Sequence, residues 1–196
     1  MDYSAKNYER LLGTPGFSDV LLKNHFTLYQ GYVANINKIS AALNQLQRED
    51  KLTVPEYAEL KRRFGWEFNG MRLHELYFEN MSTKGDGAAD PESSVYKKIS
   101  NQFGSYDEWL KDFKATGTMR GIGWAILYYD LAANRLINTW INEHDFGHLA
   151  GCKPLLVLDV FEHAYMLDYG LKKAEYLEAF LSALDWQEVN RRLTSS

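Results

Sequence analysis

The residues best suited to chemistry lie near the end of the chain, where Asp159 and His163 stand four positions apart in an apolar stretch. Residues 155–158 read Leu-Leu-Val-Leu, which predicts a short buried strand, and a helix is predicted to begin after Asp159. Side chains four positions apart at such a junction can be directed at one point. A carboxylate in apolar surroundings is unfavourable unless a positive group meets it. A metal ion would do so, with the neutral imidazole as a second ligand; a buried Asp–His hydrogen bond is the alternative.

The remaining histidines bear on this choice, and they occupy positions His25, His74, His144 and His148. His25 lies on the apolar face of a helix predicted over residues 20–47, and His74 on that of a second helix over residues 55–81. The link between them is short, so the helices are predicted to pair as an antiparallel hairpin with both histidines facing each other. Three imidazoles and one carboxylate would suit iron or manganese, and zinc is also possible. For each histidine alone, a hydrogen-bonded core position is the alternative.

Composition excludes several classes of protein. The chain has 196 residues, of which 45% are hydrophobic and 14% aromatic, enough for a substantial core. Its net charge of −4 and lack of a basic stripe make nucleic acid an unexpected partner. Cys152 is the only cysteine, which excludes an internal disulfide and a cysteine-rich zinc site. Without a signal-peptide pattern or a membrane-spanning apolar run, we expect a cytoplasmic protein with no membrane partner.

The rest of the chain predicts a mixed fold. A polar, glycine-bearing loop over residues 82–90 separates the helical hairpin from the C-terminal half of the chain. Helices are predicted over 91–102 and 106–116, a β-hairpin over 124–129 and 135–141, a third strand over 154–158, and helical periodicity from 172 onward. The predicted class is therefore α+β, with a small sheet packed on helices. No nucleophile-elbow, P-loop or dinucleotide motif offers a competing active site.

The segment Asp159-Val-Phe-Glu-His163-Ala-Tyr resembles the D-x-W-E-H-A-Y signature of iron/manganese superoxide dismutases, with Phe161 where the family usually has Trp. Further segments match the family in the same order along nearly the whole chain. They are Tyr32-Val-Ala-Asn-Ile-Asn37, Leu73-His74 followed by aromatic residues and Asn80, Phe103-Gly-Ser, Gly121-Ile-Gly-Trp124, and Tyr176 to Trp186. The resemblance implies an N-terminal helical hairpin domain over residues 1–82 and an α/β domain over residues 91–196 with a three-stranded antiparallel sheet. The metal would lie between the two domains. The implied ligands of one iron or manganese ion per chain, with iron favoured, are His25, His74, Asp159 and His163.

Three departures from the family pattern affect the site. An ungapped match would place Asn24 at the first ligand position; His25 is preferred because Asn is a poor ligand for redox iron. Leu28 or Tyr29 stands where the family usually has a second histidine on the first helix. Met166 replaces a tyrosine that is common at the substrate entrance, so the entrance is altered.

The activity implied by the resemblance is the disproportionation of superoxide to dioxygen and hydrogen peroxide. His144 and Tyr32 would hold the solvent molecule bound to the metal and relay protons, and Trp124 with Phe161 would form a dry wall beside it. His144 occupies the place from which many members aim that solvent-binding side chain, and Gly70 on the second helix is consistent with its coming from the C-terminal domain. The alternative for His144 is a loop histidine bonded to Asp145 or Glu143.

The resemblance also implies a homodimer through Glu162 and Tyr165. Two other functions stay open: a related metal-binding protein with altered or lost activity, and a non-redox metal hydrolase on the same ligands. The sequence assigns no role to His148.

Overall fold

Two long antiparallel helices open the fold in the computed structural model, which describes residues 2–85 and 87–195. Helix α1 spans Asp19–Arg48, and the Ser18 hydroxyl caps it by accepting from the Leu21 amide; helix α2 spans Pro55–Glu79. The rings of His25 and His74 are 5.0 Å apart, whereas Asn35, further along α1, bonds Glu67, earlier on α2. These pairs show that the helices run in opposite directions, as predicted.

The second half of the chain forms the predicted α/β region. Its elements are α3 Ser94–Phe103, α4 Tyr106–Thr118, β1 Gly123–Asp130, β2 Arg135–Asn142, β3 Cys152–Asp159, α5 Met166–Tyr169, α6 Lys173–Ser182 and α7 Trp186–Thr194. The predicted α+β class with a helical hairpin and a three-stranded antiparallel sheet is confirmed. The domain limits 1–82 and 91–196 stay a prediction, and Met1, Asp86 and Ser196 lie outside the described residues. In the described part of the chain, no helix combines the length and apolarity needed to cross a bilayer.

Two predicted helix limits are wrong, each because the backbone groups at that limit bond to partners outside the predicted helix. Helix α2 ends at Glu79 rather than residue 81, since Met81 pairs with Leu184 in an isolated β-bridge. No helix begins directly after Asp159, because the Val160 amide donates to a β1 carbonyl and the next amide donates to the Asp159 carboxylate. The chain instead makes one 3₁₀ turn over Glu162–Ala164 before α5.

The sheet has the order β2–β1–β3, so β1 is its central strand. Trp124 near the start of β1 lies opposite Ile141 of β2 and opposite Asp159 at the end of β3. Its side chain is fully buried. The register therefore places Trp124, Asp159 and the turn after β2 at one end of the sheet.

A buried polar junction joins this sheet to α2. Arg192, only 4% exposed, donates to the carbonyls of Leu76 and Leu155 and to the side-chain oxygen of Asn80. The same Asn80 oxygen accepts from the Val157 amide. Because the last turn of α2 is bonded to the middle of β3, the helix that carries His74 is held in a set position relative to the strand that carries Asp159.

Candidate metal centre

Four side chains converge where the hairpin meets the sheet: His25 from α1, His74 from α2, Asp159 from the end of β3 and His163 from the following 3₁₀ turn. One potential ligand atom from each lies within 4.8 Å of all the others. Within residues 2–85 and 87–195 this is the one such group of three or more histidine, cysteine or acidic residues. The structure thus brings together all four ligands that the sequence implied.

Asp159 is at the centre of the group. Its Oδ2 atom is 3.2 Å from Nε2 of His25, 3.2 Å from Nε2 of His163 and 3.6 Å from Nε2 of His74. The other carboxylate oxygen accepts from the Phe161 amide at 2.8 Å, which fixes the orientation of the group. One oxygen is therefore left facing three imidazole nitrogens.

His74 gives the clearest indication that a cation belongs here. Its Nδ1 atom is 2.5 Å from the Gly70 carbonyl oxygen, which can only accept, so Nδ1 carries the proton. In the neutral ring, Nε2 then presents a lone pair, and this buried atom has no hydrogen-bond partner. A lone pair directed at a carboxylate oxygen 3.6 Å away is unfavourable unless a cation lies between them. The residues present therefore fit a metal ion.

The protonation states favour the same conclusion. Burial lowers the pKa of His25 and takes the pKa of His74 well below its ordinary value. Burial alone would raise the pKa of Asp159, but the neighbouring His163 and His25 hold it well below its usual range. Neutral His25 and His74 rings beside an ionised Asp159 carboxylate are the protonation states in which these groups bind a metal.

The two candidates for the first ligand are clearly separated. His25 is 2% exposed and lies in the cluster, whereas Asn24 is exposed and lines a surface pocket with Leu21, Glu162, His163, Met166 and Leu167. Leu28 lies at the surface, and Tyr29 is buried with its hydroxyl bonded to Glu75. Neither residue therefore replaces the missing histidine.

The three residues predicted to assist the metal also meet. The Trp124 indole N–H donates to Nδ1 of His144 at 3.1 Å, and the Tyr32 hydroxyl is 2.7 Å from Nε2 of the same ring. His144 is fully buried, and its ring bonds these two residues rather than its own loop. Because Nδ1 must accept from the indole, the neutral ring carries its proton on Nε2 and donates it to the Tyr32 oxygen.

Electrostatics keep this network neutral. The pKa of His144 is lowered to about 4, chiefly by burial and also by the charges of His163 and Arg63, so the ring is uncharged at neutral pH. Burial, together with the charges of Asp159 and Glu67, raises the pKa of Tyr32. At neutral pH, Tyr32 therefore keeps its hydroxyl proton, and His144 is a neutral imidazole.

Gly70 leaves the space that Tyr32 fills. A β-carbon at this position would lie 2.5 Å from a ring carbon of Tyr32, far inside ordinary contact distance. No side chain at position 70 can therefore occupy this part of the site, where the Tyr32 hydroxyl meets the His144 ring instead.

Aromatic rings enclose the cluster on several sides. Phe161 stacks on His144 at 4.7 Å and lies 6.1 Å from Trp124, and a dry wall formed by Phe161 and Trp124 stays a prediction. Sequence reasoning missed Trp66, whose ring is 4.8 Å from that of His144 and stacks against the Arg63 guanidinium. The spacing of Trp66, Gly70 and His74, each four residues apart on α2, is the signal that could have revealed it.

Tyr176 is a second omission. Its hydroxyl donates to the backbone carbonyl of Asp159 at 2.7 Å from fully buried surroundings. This contact supports the strand end that aims the carboxylate. No local sequence pattern predicts this contact, because Tyr176 belongs to α6 and meets Asp159 only through tertiary packing.

Comparisons with known proteins show which proteins this chain resembles. Residues 91–192 match the family model described as iron/manganese superoxide dismutases, C-terminal domain. Superoxide dismutase (Mn) 2 of Haloferax volcanii is 36% identical over 169 residues, covering 86% of this chain and 82% of that protein. Superoxide dismutase (Fe) of Aquifex pyrophilus is 36% identical over 182 residues, 90% of this chain and 84% of that protein. Superoxide dismutase (Fe) of Cupriavidus metallidurans is 36% identical over 186 residues, 92% of this chain and 90% of that protein.

Proposed function

This chain belongs to the iron/manganese superoxide dismutase family, and on that premise we propose that it disproportionates superoxide at a single iron or manganese ion. In this reaction, two superoxide ions and two protons give one dioxygen and one hydrogen peroxide. The observation that carries the proposal is the buried cluster of three imidazoles and one carboxylate, with the lone pair of His74 left without a hydrogen-bond partner.

His25, His74, Asp159 and His163 would hold the ion. Bound there, iron or manganese would supply the one-electron redox chemistry that the disproportionation of superoxide needs. The negative charge of Asp159 would stabilise the cation, and the Gly70 carbonyl, by accepting a hydrogen bond from Nδ1 of His74, would make Nε2 of that ring a stronger donor to it. Relatives with either metal resemble the chain equally in identity, so the choice between iron and manganese stays open.

Tyr32 and His144 would deliver protons. His144 donates its Nε2 proton to the Tyr32 oxygen, which leaves the hydroxyl proton of Tyr32 free to be directed at the cluster. The Tyr32 ring packs 5.1 Å from that of His74, so Tyr32 lies beside one of the proposed ligands. The indole of Trp124 keeps His144 in the required tautomer by occupying Nδ1.

The surrounding rings would restrict what reaches the ion. Trp124 and Phe161 keep bulk water from the face they cover, while the His163 side chain, 29% exposed, borders the surface pocket that includes Met166. A small anion can approach from that side, and larger ligands are excluded by the packed rings.

We further propose a homodimer formed through the segment around Glu162 and Tyr165. Tyr165 is already buried in the single chain, with 7% of its surface exposed, and its ring stacks on that of Tyr176. The exposed surface of this segment therefore consists of Glu162, Met166 and Leu167. A second copy packed on this segment would cover the apolar side chains of Met166 and Leu167. The cytoplasmic location expected from the sequence stays a prediction.

A superoxide assay combined with metal analysis tests this function. Protein prepared with both metals present should carry one ion per chain and accelerate superoxide decay, with activity proportional to metal content. A fully loaded protein without this activity would identify a relative that has lost catalysis. Hydrolytic turnover without redox activity would favour the hydrolase alternative. Among the described residues, the cluster contains no general base beyond the four proposed ligands.

A further inference from the structure

His148 is hydrogen-bonded at both ring nitrogens. Its Nε2 atom is 2.8 Å from the backbone carbonyl oxygen of His144, and its Nδ1 atom is 2.7 Å from the Tyr128 hydroxyl. A carbonyl can only accept, so Nε2 carries the proton and Nδ1 accepts the hydroxyl hydrogen of Tyr128. The imidazole thus connects the His144 backbone to the sheet.

The segment that carries His144 needs such support. Asn142 and Phe146 bond each other through both backbone amides, which closes a tight turn with His144 in its middle. Glu143, directly before His144, has a φ of 51°, and Gly147, directly after the turn, has a φ of 98°. Both residues therefore lie in the left-handed region. A non-glycine residue such as Glu143 persists there only when its surroundings hold it.

Strand β1 anchors this turn at two points. Trp124 bonds the ring of His144 directly, and Tyr128, four residues along the same strand, bonds its backbone through His148. Side chains an even number of positions apart share one face of a strand. Two contacts on one rigid strand therefore set both the position of the His144 backbone and the direction of its ring.

We propose that His148 is a positioning residue, which holds His144 where its Nε2–H meets the Tyr32 hydroxyl. The inference rests on the proposed function only in that the Tyr32–His144 bond is taken to serve proton delivery. Without the bond from His148, the His144 carbonyl would turn toward solvent and the strained turn would relax. His144 would then lose its alignment with Tyr32 while the four metal-binding residues stayed in place.

The first measurement follows His144 itself, in protein loaded with diamagnetic zinc. Nitrogen NMR should show a pyridine-like Nδ1 and a pyrrole-like Nε2 for His144 in the unaltered protein. In His148→Ala these signals should shift or broaden, and the indole N–H signal of Trp124 should move with them. His148→Gln retains a donor and an acceptor and should restore both signals in large part.

The second measurement is the kinetics of the iron- or manganese-loaded enzyme. We expect kcat to fall roughly two- to tenfold in His148→Ala, the range that the loss of one ordinary hydrogen bond supports. KM and metal content should not change, because His148 contacts no proposed ligand. Tyr128→Phe should have a smaller effect in the same direction. Tyr129→Phe, which removes a hydroxyl that donates to Asn134 in the exposed β1–β2 turn, is the matched control.

The outcomes separate this inference from the proposed function. Unchanged His144 and Trp124 signals in His148→Ala would overturn the positioning role, as would a loss of stability that left both signals and kcat as they were. Failure of His148→Gln to restore either property would also overturn it, because the role would then not depend on the hydrogen bonds. If no version of the protein disproportionates superoxide, the proposed function fails, while the NMR result still decides whether His148 positions His144.

Discussion

Replacing Gly70 with alanine tests whether the packing at the site is as tight as the structure indicates. The added β-carbon would lie 2.5 and 2.7 Å from two ring carbons of Tyr32, about 1 Å inside normal carbon contact. The ring cannot swing away freely, since its hydroxyl is bonded to His144 and its face packs on His74. Overpacking of this kind costs about 1–3 kcal/mol.

Gly65 on the same helix is the matched control. A β-carbon there would meet only the side chain of Asp145, at an ordinary 3.9 Å. Both substitutions gain helix propensity of up to about 1 kcal/mol, so this contribution cancels in the comparison. Gly65→Ala should therefore be more stable than Gly70→Ala by about 1–3 kcal/mol, which corresponds to roughly 2–12 °C in Tm for a chain of this size.

Thermal unfolding of both variants, together with the rate of superoxide disproportionation, provides the assay. Gly70→Ala should also lose activity because Tyr32 is displaced from His144, whereas Gly65→Ala should retain the original rate. Equal stability and equal rates in the two variants would refute the reasoning, since Tyr32 could not then occupy the space beside Gly70.

Four further expectations concern the cluster and its surroundings. Asp159→Asn keeps the shape but removes the charge, and metal affinity measured by chelator competition should fall more than roughly 100-fold; retention of full affinity would contradict the ligand assignment. His144→Ala should keep the metal and lower the dismutation rate roughly 10- to 100-fold, with partial recovery in His144→Gln, and an unchanged rate would exclude its role. Because burial lowers the pKa values of His25 and His74, the unfolded chain takes up more protons below about pH 6.5. As the pH is lowered below this value, the unfolding free energy of the metal-free protein should therefore fall by up to about 1.4 kcal/mol per pH unit per histidine, as urea titrations would show. Glu162→Ala should weaken dimerisation in light scattering, and a protein that is monomeric before substitution would contradict the dimer proposal.

Much of the fold could be predicted because its elements are encoded locally. Apolar residues at helical spacing predicted α1 and α2 to within a few residues, and the aromatic and β-branched runs predicted β1 and β2. Where the limits were wrong, as at Met81, a distant partner had taken over the backbone groups. The amino-acid pattern within one segment does not indicate that a distant segment will bond to its backbone groups.

The sequence by itself determined the chemistry of this protein: which histidines lie on inward faces, and that Asp159 and His163 stand at one strand end. Four side chains of the right type at these places, together with the family signature, were enough to predict the metal centre. Only the tertiary structure decided how those groups are oriented. The tautomer of His74 depends on the Gly70 carbonyl, and that of His144 on an indole 20 residues away in the chain.

The same holds for His148 and Tyr176, whose contacts in the site cannot be predicted from their positions in the sequence. Each acts through a contact that exists only once helices, sheet and turn have packed, and the turn around His144 depends on backbone angles that residue type alone does not specify. Side-chain identity sets what a group can bind, whereas register, burial and strain set where its donors and acceptors point.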